Sequence, residues 1–156
     1  GAVGTSGLAD GAVTSDKVAY GTFVQGHGYV HGDTLALSPV ADQIEQGTFL
    51  TTPFGRVLAT CNRLSGQSAQ HVAVQWQNRS TGPQSVVQAT PGSAPTRTSV
   101  AVDDVTGGVA DTLGVQVEFW AEDVSGAVVH VSVVGTSASA VSSCAFTAQA
   151  VSAFPG

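Results

Sequence analysis

The chain has 156 residues, 10% of them charged, with five Lys and Arg against eleven Asp and Glu and a net charge of −6. Nucleic-acid binding draws on clustered Lys and Arg, whereas Arg56, Arg63, Arg79 and Arg97 are scattered, so neither nucleic acid nor an anionic membrane surface is expected as a partner. No run approaches the roughly 20 apolar residues of a membrane span, and no membrane insertion is expected.

The hydrophobic fraction is 42%, and Ala and Val carry it; Met is absent. Small and β-branched side chains favour sheet over helix. The length suits one ordinary domain plus an extension. The sequence opens without Met or a signal-peptide pattern and reads as a mature form or a fragment.

Residues 1–26 carry a repeat. Val3, Leu8, Val13, Val18 and Phe23 recur every fifth residue, with Gly1, Gly11 and Gly21 every tenth. A period of five matches neither the 3.6 of a helix nor the 2 of a strand, so no amphipathic face forms by the usual routes. Apolar anchors separated by small residues bury themselves against copies of the same unit. With so few repeats, those copies must come from other chains, and the segment is expected to be an oligomerisation arm. Its first nine residues also fit Gly-x-x triplets, but Asp10 then replaces the next Gly.

Residues 27–53 read as a connector with short strands, punctuated by Ser38-Pro39 and Thr52-Pro53. Within it, His27 and His31 fall on one face of an extended chain with Asp33 close by. That set could chelate a transition metal or simply be solvated, and no resident metal or cofactor is assigned.

From residue 54 to 156, turn signals recur between β-rich runs, and strands are expected near 54–61, 70–78, 84–89, 97–103, 113–122, 127–135 and 142–151. Alternation is clearest at Val72, Val74 and Trp76, and at Val115, Val117 and Phe119. It predicts an all-β, seven-stranded antiparallel sandwich, immunoglobulin-like or jelly-roll, behind the extended N-terminal arm. Cys61 and Cys144 are too far apart for a C-x-x-C redox or metal pair, and one disulfide in an exported protein is expected; buried thiols in a cytosolic protein are the alternative. In the chain-entropy model, closing a loop of roughly 80 residues contributes about 4 kcal/mol.

Val124-Ser125-Gly126 reads as a three-residue hairpin turn. The register it sets pairs Phe119 with Val131 and Trp120 with His130. Glu118, Trp120, His130 and Ser132 would then share an outward patch: a ligand platform, an interface, or a surface covered by the chain itself. Asp103-Asp104 with Asp111 is a loose calcium-loop pattern or a set of turn caps. Asn78-Arg79-Ser80 matches the N-glycosylation pattern. No nucleophile elbow, zinc-protease motif or phosphate-binding glycine loop occurs, and no enzymatic activity is expected.

The stretch Asp10-Gly-Ala-Val-Thr-Ser-Asp-Lys-Val-Ala19 resembles the short repeats, roughly D-G-A-V-T-S-x-K-V-A, of phage tail-fibre shafts and bacterial surface fibres. There the repeats precede an exported globular β-domain. The resemblance covers about 20 residues and implies homotrimerisation through Val3, Leu8, Val13, Val18 and Phe23. Gly7 stands where the first copy should carry Lys.

The expectation is therefore a non-enzymatic extracellular structural protein, at a cell surface or on a virion. Its partners would be other copies of itself, in a trimer or an open filament. The alternative is a receptor- or glycan-binding tip domain that meets a surface glycan through Glu118, Trp120 and His130.

Overall fold

Strands that alternate apolar and polar side chains bury one face each, and two such faces packed together exclude water from both. The computed structural model describes residues 28–63, 71–111, 114–138 and 143–153. The arm and its anchors Val3, Leu8, Val13, Val18 and Phe23 lie outside the described residues, as does His27. The described chain contains ten strands and no helix. They are β1 (Gly28–Leu37), β2 (Gln43–Thr51), β3 (Gly55–Arg63), β4 (His71–Asn78), β5 (Gln84–Ala89), β6 (Thr96–Val100), β7 (Val105–Asp111), β8 (Gly114–Glu122), β9 (Val128–Ala138) and β10 (Ser143–Ala153). A six-stranded sheet runs β1-β10-β9-β8-β5-β6 and a four-stranded sheet runs β2-β3-β4-β7. Both are antiparallel throughout.

The all-β, two-sheet expectation holds, but the count of seven strands does not. Each of the seven expected strands is present within a few residues; β2 and β7 are additional, and the short strands expected in the connector join into one continuous β1. Local sequence obscures the extent of all three. On β1 the inward positions include His31 and Asp33, which invert the usual apolar-in rule, and Gly32 interrupts the run. On β7 the pair Gly107-Gly108 removes two side chains from the pattern, and Gly107 has a φ of 71°. Residues 28–51, read from sequence as a connector, thus supply one strand to each sheet.

The core lies between the sheets. Val57, Ala59, Val72, Val74 and Trp76 from the smaller sheet meet Val117, Phe119, Val131, Val133 and Phe146 from the larger, all buried. Large side chains are few, and the aromatic ones meet across the interface. Trp76 and Phe119 have ring centroids 6.5 Å apart, and Phe49 and Phe146 6.1 Å apart, within the range where tilted aromatic pairs attract. Gly135 sits opposite Phe146 on β10. A Cβ there would come within 2.7 Å of the Phe146 ring, so the absent side chain is what lets the ring lie down.

One ribbon changes sheet midway. β4 and β7 pair in the smaller sheet, while β5 and β6, their continuations, pair in the larger. Asn78 pins the corner. Its N–H donates to Asp104 O, its carbonyl accepts from Asp103 N, and its Nδ2 donates to Gly82 O and Val100 O. Next to it, Trp76 Nε1 donates to Gln84 Oε1 at 3.0 Å, and Gln84 Nε2 donates to Phe54 O at 2.8 Å. Trp76 and Gln84 are fully buried, so each polar atom that loses water there regains a partner.

Cys61 on β3 and Cys144 on β10 form the expected disulfide, with Cα atoms 5.9 Å apart and a sequence separation of 83. It joins the two sheets, and both residues are buried. Replacing both by Ala is expected to lower stability by about 2–5 kcal/mol. Urea unfolding read by Trp fluorescence checks this through a fall in midpoint, with a steeper slope because the chain without the cross-link unfolds to a more expanded state.

Candidate functional site

The β8–β9 hairpin is set by its turn. Asp123 Oδ1 accepts from Ser125 N at 2.8 Å, Ser125 Oγ at 2.6 Å and Ala127 N at 3.1 Å. Gly126, with a φ of 82°, takes the left-handed conformation that closes the loop. The resulting register pairs Phe119 with Val131 and Trp120 with His130, as the turn chemistry predicts.

Phe119 and Val131 are buried, while Glu118, Trp120, His130 and Ser132 lie half-exposed on the outer face of the larger sheet. The Trp120 and His130 rings stack with centroids 4.7 Å apart and planes 8° apart. His130 Nε2 lies 3.3 Å from Glu118 Oε2, an ion pair when the imidazole is protonated. More than a third of each side chain is exposed, so solvent screens the pair and its contribution is small. One face of the indole is covered by the imidazole. The open aromatic surface for sugar stacking is accordingly reduced to the other face and the ring edge.

The stack belongs to a longer row. Cross-strand pairing places Arg97, Val87, Trp120, His130, Val151 and Val30 in one line over all six strands. Val30, near the start of β1, is 66% exposed, and Val151, near the end of β10, is 46% exposed.

Other candidates resolve into structural roles. Asp33 points into the space between the sheets, where both carboxylate oxygens are occupied. Oδ1 accepts from Thr34 N at 2.8 Å, and Oδ2 from Leu50 N at 2.9 Å. Leu50 is fully buried at a bulge between Phe49 and Thr51, with a φ of 51°. A non-glycine residue in that conformation is uncommon and needs outside support. The Asp33 carboxylate supplies it, which ties β1 to β2. Among the described residues, no group of three or more His, Cys, Asp and Glu could hold a metal ion.

Asp103 and Asp104 form the β6–β7 corner, and Asp103 pairs with Arg79 and has a φ of 65°. They act as turn residues here. Asn78 of the glycosylation pattern is fully buried and donates both Nδ2 hydrogens to backbone, so its amide is closed to modification in the folded chain. Sequence reasoning passed over Gln84 and singled out Asn78 only for the glycosylation pattern, not as a buried corner residue. Their signal was available: Asn78 continues the inward series Val72, Val74, Trp76.

Among the described residues, no helix is long and apolar enough to cross a membrane. No family model, curated protein or solved structure matches the chain.

Asp33→Ala is expected to cost about 1.5–3 kcal/mol, the worth of a hydrogen bond to a charged group. Asp33→Asn, which keeps one acceptor oxygen, should cost less. Urea unfolding of the two variants beside the parent chain provides the comparison.

Proposed function

We propose that this protein is a non-enzymatic extracellular structural protein that assembles with copies of itself through residues 1–26, into a fibre, filament or surface appendage, and displays its β-sandwich there. The observation that carries this reading is the five-residue spacing of Val3, Leu8, Val13, Val18 and Phe23, which no single chain can bury as a helix or strand face. Its likeness to fibre repeats supports it. A disulfide across the two sheets suits an oxidising, external compartment. The ribbon formed by β4–β5 and β6–β7, which changes sheet midway, supports the jelly-roll alternative over the immunoglobulin-like one.

Burial of one aliphatic anchor contributes about 1.5–3 kcal/mol per fully buried side chain. Val13→Asp with Val18→Asp is therefore expected to abolish assembly and leave a folded monomer. Light scattering over a concentration series tests this, and an intact chain that stays monomeric at the highest concentration overturns the reading.

A second reading, a glycan- or receptor-binding tip, draws on one observation: Trp120 is half-exposed beside Glu118 and His130 on the outer face. A glycan array probed with the parent chain and with Trp120→Ala separates the readings. Binding that disappears in the variant supports the tip; no binding to any sugar removes it.

A further inference from the structure

The outer face of the six-stranded sheet is divided by charge. Outward positions on β8, β5 and β6 include Glu118, Glu122 and Arg97. Those on β1, β10 and β9 whose side chains are described include no Asp, Glu, Lys or Arg at all. That half holds the exposed Val30, Val151 and Val134, the last 45% exposed, with small and hydroxylated residues and Gln149 between them and His130 at its β9 border beside Glu118. In a chain of net charge −6, two copies repel one another over most orientations. This is a face on which they can meet without opposing charges.

We infer that the uncharged face on β1, β10 and β9 is the surface on which the sandwich of a second copy of this chain packs. The inference rests on the arm-mediated self-assembly proposed above, not on the threefold stoichiometry that the fibre-repeat likeness implies, and names the place where the displayed domains touch.

Two arguments identify the occupant. The first is position. The arm leads directly into Gly28, the first residue of β1, and Val30 at the edge of the face follows two residues later. Bringing arms together therefore brings these faces together. A twofold axis parallel to β1 lets both arms leave from the same end and sets face on face, at the roughly 10 Å spacing of packed sheets.

The second argument is area. Three strands about 4.8 Å apart and some 30 Å long offer on the order of 400 Å². That is about half of what one partner contributes to a standard stable interface, roughly 800 Å². The face is too small to hold two free sandwiches together. It suffices when a linker raises their mutual concentration to the millimolar range. The contact is isologous, so sandwiches associate in pairs.

Sedimentation equilibrium of the full-length chain tests the inference. The variants are Val30→Glu with Val151→Glu, Val30→Lys with Val151→Lys, their equimolar mixture, and Ile44→Glu as a control at a position 67% exposed on β2. Circular dichroism checks that each is folded. The parent chain should form even-numbered assemblies. Each double variant should raise the concentration for half-dissociation by about tenfold or more, as expected for like charges set face to face. The mixture should restore assembly, which a misfolded protein could not do, and Ile44→Glu should match the parent.

Assembly unchanged in both double variants would show that copies do not meet on this face and overturn the inference, leaving the arm reading intact. A mixture that fails to restore assembly, or a closed trimer, would overturn it in the same way. A monomeric parent chain would overturn the arm reading and this inference together.

Discussion

Two sheets made largely of valine and alanine are held face to face, and the bond between Cys61 and Cys144 is the covalent link across that seam. Small side chains bury little apolar area each, so the hydrophobic contribution per residue is modest. The larger side chains sit where the sheets meet, with Trp76 against Phe119 and Phe49 against Phe146. The disulfide restricts the unfolded chain over a separation of 83 residues. That compensates for a core poor in Leu, Ile and Phe.

The seam also depends on buried polar groups that are paired. Asn78 holds the corner where one ribbon passes from sheet to sheet, and Gln84 links Trp76 to the Phe54 carbonyl. Asp33 supports the left-handed backbone at Leu50 from the opposite sheet. Each is a polar side chain at an inward strand position, and each spans two elements that are distant in sequence. Removal of any one would leave a buried backbone or side-chain group without its partner, the costly half of the hydrogen-bond asymmetry.

The outside of the molecule follows from the same alternation. The residues that turn Phe119 and Val131 inward turn Trp120 and His130 outward, and the register carries that row to Val151 and Val30. The outward face then has a half with Glu118, Glu122 and Arg97 and a half without Asp, Glu, Lys or Arg among its described side chains, and the second includes β1, the strand into which the arm leads. On the proposed assembly reading, the arm would supply proximity and the face a weak contact that proximity makes effective.

Sequence alone determined the class of fold and seven of the strands, because period-2 alternation and turn residues act locally. It also determined the β8–β9 register, since the three-residue turn leaves one pairing, and it made the Cys61–Cys144 bond the expected pairing of two distant cysteines. The full extent of β1, and strands β2 and β7, were decided by tertiary structure. His31, Asp33 and the Gly107-Gly108 pair break the local pattern, and pairing with β10, β3 and β4 overrides it. The role of Asp33 was decided there too, because the N–H it accepts belongs to Leu50, 17 residues away on the other sheet. So was the uncharged outer face, which gathers residues from three strands and exists only once β10 lies between β1 and β9.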